Sequence, residues 1–187
     1  MLFRKAAIHG DETPYRRLEE IFAFLVDSSK DVFARDSGLY FDIDNLLPCY
    51  LLLNFTNNRD AVHMNQYITL SPDGMRVTIV PWDYDKIFLK RKTSPLANHL
   101  FARYLHENPV FLEKAKERWT DLVNGQYSNE ALMARIESYA EILAPYMDEE
   151  WRLLKPAGFD GGFADAIADL KDAVRNQLSF MDQVFLK

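Results

Sequence analysis

Apolar residues return every three or four positions along most of this chain and alternate with polar ones in a single stretch. The spacing of Leu18, Ile21, Phe22 and Leu25 predicts a first helix, with Thr13 as N-cap and Pro14 at the first helical position, broken near Ser28. Asp36-Ser37-Gly38 reads as a turn. From Asp42 or Asp44 a second helix runs to Phe55. Leu46, Leu47, Tyr50, Leu51 and Leu53 make it apolar on most sides, which predicts burial, and Pro48 is placed in its first turn.

The alternation follows. Tyr67-Ile68-Thr69-Leu70 and Met75-Arg76-Val77-Thr78-Ile79-Val80 read as two strands joined by the turn Ser71-Pro72-Asp73-Gly74, an antiparallel hairpin. Beyond Ser94 the pattern is helical. Ser94-Pro95, Asn108-Pro109 and Ser128 are cap signals for helices over about 95–106, 109–123 and 129–143, with Gly125 closing the second. Pro145 is expected to break or kink the third, leaving a short segment through Trp151. Lys155 to Gly162 reads as a loop. A last helix over about 163–185 carries the stripe Phe163, Ile167, Leu170, Val174, Leu178, Met181 and Val184. The expected fold is mainly α with a small antiparallel β-hairpin (α+β), a single domain over 1–187.

Composition agrees with a packed domain. Of 187 residues 48% are hydrophobic and 13% aromatic, which excludes a disordered or low-complexity chain. The net charge of −6 is the wrong sign for a phosphate-backbone binder, so no nucleic acid partner is expected. No run is long enough to span a bilayer, and Met1 to Ile8 is too short in apolar residues to read as a signal peptide. Cys49 is the only cysteine. It lies in an apolar run and reads as a packing residue, and no cysteine-based zinc cluster is open to the chain.

Chemistry concentrates between Asn57 and Asp85. Asp60 and Asn65 flank Ala61-Val62-His63-Met64, with Asn65 at the entrance of the first strand and Asp83 at the exit of the second. An antiparallel hairpin returns the chain to its start, so Asn65 and Asp83 should meet at its open end, with Asp60 folded over the same spot. Such a set of oxygen ligands suits a hard cation such as Mg²⁺, with one carboxylate left as a base. The same residues also read as a solvated turn and a strand cap, and spacing alone does not separate the two readings.

The order is that of protein kinases: an Arg-Asp-x4-Asn loop, two short strands, then an Asp-centred metal site, here Asp83-Tyr84-Asp85. Phe41-Asp42-Ile43-Asp44, Leu51-Leu52-Leu53-Asn54, Asn58-Arg59-Asp60, Asn65-Gln66-Tyr67 and Val80-Pro81-Trp82-Asp83-Tyr84-Asp85 together resemble the CotH family, kinase-like proteins named for a spore coat protein. The resemblance covers residues 40–90 closely and the later helices loosely. It implies an atypical kinase fold, with ATP and Mg (or Mn) as cofactors and protein hydroxyls as acceptors, those of a surface or coat protein among them. By position Asp60 resembles the catalytic Asp, and Asn65, Asp83 and Asp85 the metal ligands. It also suggests a spore-coat, cell-surface or secreted setting.

A kinase further needs a lobe over the nucleotide, with a lysine on its phosphates. Before Asp60 the only glycines are Gly10 and Gly38, and Lys5 and Lys30 have no strand around them. The expectation is therefore a C-lobe-like part of the CotH domain, with its catalytic and metal segment over about 40–92 and a helical bundle over about 94–187. The nucleotide-covering lobe is expected to be missing and the isolated chain to have little activity. Two further readings are an inactive helical interaction module that keeps the fold, and a metal-dependent phosphohydrolase using Asp60, Asp83 and Asp85. His63 reads as a loop neighbour, His99 and His106 as exposed helix positions, and Lys86, Lys90, Arg91 and Lys92 as a solvated basic run, with contact to phosphate groups or an acidic protein substrate as the alternative.

Overall fold

The computed structural model describes residues 13–88, 94–154 and 161–186, without the side chains of Thr13, Pro14, Asp148, Arg152 and Leu154. The capping role expected of Thr13, the basic residues Lys90, Arg91 and Lys92, and most of the 155–162 loop lie outside the described residues.

Among the described residues seven α-helices and one hairpin follow in the order α1 (Thr13–Asp27), α2 (Lys30–Asp36), α3 (Ile43–Phe55), β1 (Gln66–Leu70), β2 (Val77–Pro81), α4 (His99–Glu107), α5 (Pro109–Val123), α6 (Asn129–Leu154) and α7 (Phe163–Phe185). The expected mainly helical fold with one small antiparallel sheet is what forms.

α3 is the centre. Asp42 caps it by accepting from the Asn45 N–H, and Leu46, Tyr50, Leu51, Leu53 and Phe55 are all buried. It packs on β2, α5 and α7 at once, which explains why it has no polar stripe. Pro48 stands in its second turn, one turn later than expected, and is tolerated because its ring faces outward. Around α3 lies an aromatic core of Phe33, Phe41, Phe101, Tyr104, Phe111, Trp119 and Phe185, each at most 2% exposed. The Trp119 indole donates to Asp182 of α7 at 2.9 Å, so its polar edge is satisfied.

The hairpin pairs Gln66 with Pro81 through Leu70 with Val77, and turns at Gly74, which adopts φ +72. Its inner face, Ile68, Leu70, Val77 and Ile79, packs on the core, and Asn45 of α3 clamps it by bonding both N–H and C=O of Ile79. From the other side Arg17 of α1 donates twice to the Met75 carbonyl. The hairpin is thereby fixed relative to α3, and the site at its open end inherits that rigidity.

Three expectations need correction. The break near Ser28 contains a helix, α2, capped by the Ser29 hydroxyl; at seven residues it is too short for apolar periodicity to register. α4 starts at His99, with the Asn98 side chain capping it by accepting from Phe101, and not at Ser94, because Asn54 takes up both main-chain groups of Leu96. α6 continues through Pro145 to Leu154. Pro145 is on the exposed side, and the far end is anchored by the Trp151 indole bonding Gly161 and resting on Phe163.

Candidate functional site

The site begins where α3 ends. Asn54, fully buried, bonds the Tyr50 carbonyl and both main-chain groups of Leu96, while its own carbonyl accepts from Gln177 of α7 at 2.6 Å. The chain then leaves helical geometry through Asn57, at φ 51. Asn58, also fully buried, accepts the Ala61 N–H on its side-chain oxygen at 3.1 Å and starts a 3₁₀ turn over Asp60–Val62. Short polar side chains suit this stretch because they bond the main chain where regular structure stops.

Asp60 organises the loop through its backbone. Its carbonyl accepts from the N–H groups of Met64 at 2.9 Å and Asn65 at 3.1 Å, so the spacing of four residues between Asp60 and Asn65 closes a tight loop. Ala61 and Val62 anchor that loop in the core, and His63 points outward. The Asp60 carboxylate is about one-third exposed and faces Lys86, with Oδ2 to Nζ at 3.4 Å.

Asn65 joins the loop to the exit of β2. Its carbonyl accepts from Trp82 at 3.1 Å, and its carboxamide nitrogen donates to the Asp83 main-chain carbonyl at 2.9 Å. Asp83 adopts φ 55, a conformation that disfavours a side-chain-bearing residue, so the contact with Asn65 pins a strained peptide. From there a strap crosses back. Tyr84 packs on the core, Lys86 reaches Asp60, and Phe88, at φ 56, donates to the Thr56 carbonyl at 2.8 Å with its ring edge-on to Phe55. The strap is held at both ends.

Asp60, Asn65 and Asp83 are thus brought to one mouth, and Lys86 joins them. Asp85 is exposed, and no hydrogen bond among the described residues ties it to the other three. Lys86 reads from the sequence as part of a solvated basic run or a phosphate contact, not as a partner of Asp60; that partner is 26 residues away, and only the return of the hairpin brings them together. Asn58 gave a weak signal, as one of several polar residues in a loop. His63, His99 and His106 are exposed. Burial pushes the Cys49 thiol up to about 11, as expected of an inert packing cysteine, and its S–H faces the Ile79 carbonyl.

Among the described residues no three His, Cys, Asp or Glu side chains gather as a ready metal centre. Asp60 and Asp83 each carry a carboxylate on this stretch and Asn65 a carboxamide, the Asn65 contact being to the Asp83 main-chain carbonyl. That donor set fits an ion such as Mg²⁺, which takes one or two carboxylates and completes its shell with water and phosphate oxygens.

The family model described as CotH kinase protein matches residues 2–181. The chain belongs to the CotH kinase protein family. No curated protein matches it. The CotH match takes in the Asp60 loop, the hairpin, the strap and all of α1 to α6, so the mouth lies well inside the family region. Among the described residues no helix of this CotH chain is long and apolar enough to cross a membrane.

Proposed function

We propose that this CotH chain carries the catalytic lobe of an atypical protein kinase, which transfers the γ-phosphoryl group of ATP to a protein hydroxyl with Mg²⁺ or Mn²⁺. Membership of a family described as kinase protein supports the class of chemistry. The observation that carries the reading is the hydrogen bond from the Asn65 carboxamide to Asp83, made beside the Asp60 loop.

The roles follow from the donor groups. Asp60, rigid through its carbonyl and partly exposed, accepts the proton of the attacking hydroxyl as its oxygen bonds the γ-phosphorus and ADP leaves. Asn65 uses its amide nitrogen to fix Asp83, so its amide oxygen is the atom a cation would take, together with the Asp83 carboxylate. Asp85 is the further candidate ligand, from the exposed part of the strap. Mg²⁺ bound there would neutralise phosphate charge. Lys86 occupies Asp60 in the free protein and adds a positive charge beside the phosphates. The acceptor is a hydroxyl of a surface or coat protein.

Transfer of labelled γ-phosphate to a Ser/Thr/Tyr peptide mixture tests this. Asp60→Asn should abolish the low transfer expected of the isolated chain while nucleotide binding persists, and Asp83→Ala should lose both. Transfer that survives Asp60→Asn unchanged contradicts the assignment.

A further inference from the structure

α6 carries an apolar stripe on the side away from the core. Leu132, Met133 and Ile136 turn inward, and Glu137 pairs with Lys171 of α7. About a third of a turn round the helix, Tyr139, Ile142, Tyr146 and Leu153 lie on one line, between 61 and 70% exposed, with Leu143 at its margin. Single exposed apolar residues are ordinary; five along one face mark a contact surface. Of the charged residues near that line, exposed Arg135 stands at one end and exposed Glu149 and Glu150 towards the other, with exposed Glu137 and Glu141 further round the helix.

These positions are symmetric. Tyr139 and Tyr146, Arg135 and Glu150, and the pair Ile142 and Leu143 are each equidistant from one point, the Ile142–Leu143 peptide. A second α6 laid antiparallel across that point sets Tyr139 against Tyr146, Ile142 against Leu143, and Arg135 against Glu149 and Glu150 at both ends. A parallel copy would set Arg135 against Arg135 and glutamate against glutamate. An acidic partner of another kind would meet Glu149 and Glu150 unfavourably. We propose that a second copy of this chain docks antiparallel along α6, with the two-fold axis at Ile142–Leu143. The contact is isologous, so each copy uses the same surface. One helix pair buries less than the ~1,200 Å² of a standard interface, so the dimer is weak and reversible.

Sedimentation equilibrium of the whole chain up to about 500 μM should show monomer and dimer in exchange, as a contact of this size implies. Ile142→Asp, at an exposed position that leaves the fold intact by circular dichroism, should weaken the dimer at least about tenfold. Arg135→Glu should weaken it too, as should the double variant Glu149→Lys with Glu150→Lys. An equimolar mixture of those two should associate again as a heterodimer, because opposite charges then meet at both ends. A wild-type chain that stays monomeric, with the stripe left to another kind of partner, overturns the proposal. So does a dimer indifferent to Ile142→Asp, or a mixture that fails to re-associate.

Discussion

Asn54 is fully buried, and its side chain ties the main chain of Leu96, 42 residues on, to the end of α3 while also bonding the Tyr50 carbonyl of its own helix. Asn54→Ala would leave the Leu96 main-chain groups without those bonds and should destabilise the chain by about 3 kcal/mol, read from urea unfolding. In the sequence Asn54 shows as a polar interruption of an apolar helix and as part of one family motif, with no sign of its partner. Its partner, Leu96, is 42 residues on, and no local rule connects them. Asp60, Asn65 and Asp83 are easier to read, because a hairpin makes the closeness of its two ends a matter of topology.

Cys49 and Tyr84 make stability sensitive to alkali. Burial raises the thiol from 9.0 to about 11 and the phenol from 10.0 to about 12, so the folded chain holds both protons after the unfolded chain would have released them. A raised folded-state value stabilises below the ordinary one and is lost as pH climbs through the raised one. The denaturation midpoint should therefore fall from about pH 9 upward, with Tyr50 and Tyr104, whose phenols burial also raises, adding to the loss above pH 10. Cys49→Ala should remove the first part of that fall.

At the level of elements, the hairpin depends on its turn. Gly74 bonds the Ser71 carbonyl at 2.7 Å and adopts φ +72, with open space where a Cβ would project. Gly74→Ala should cost about 1 kcal/mol in thermal unfolding through backbone strain alone, and Gly74→Asn less. Strand positions were readable from alternation, and the observed strands differ at their ends by only one or two residues. α5 and α7 were readable to the residue, since Asn108-Pro109 and Gly162 punctuate them. The start of α4 was not, because tertiary hydrogen bonds to Leu96 override the Ser94-Pro95 signal. Nor was the continuity of α6, where contacts beyond Pro145 outweigh one missing hydrogen bond.

Across the whole molecule, α3 links the site to everything else. Its N-terminal half holds β2 through Asn45, its C-terminal end feeds the Asp60 loop, and its last turn is tied to α7 through Gln177. A helical core with the mouth at its hairpin edge suits the proposed phosphoryl transfer, whose chief requirement is rigid positioning of phosphate. The family was legible in the order of short motifs from Asp42 to Asp85, and the matching family region spans 2–181. The tie between Asp60 and Lys86 was not legible, since it depends on how the strap closes.

The central claim is that Asn65 and Asp83 form the metal–phosphate end of a nucleotide site. Calorimetric titration of Mg-ATP into the wild-type chain, Asn65→Ala and Asp83→Ala tests it most directly, because neither position contributes to the buried core. The account predicts weak but saturable binding to wild type, reduced in Asn65→Ala and abolished in Asp83→Ala, with all three chains folded. No binding by the wild-type chain, or equal binding by wild type and Asp83→Ala, would contradict it.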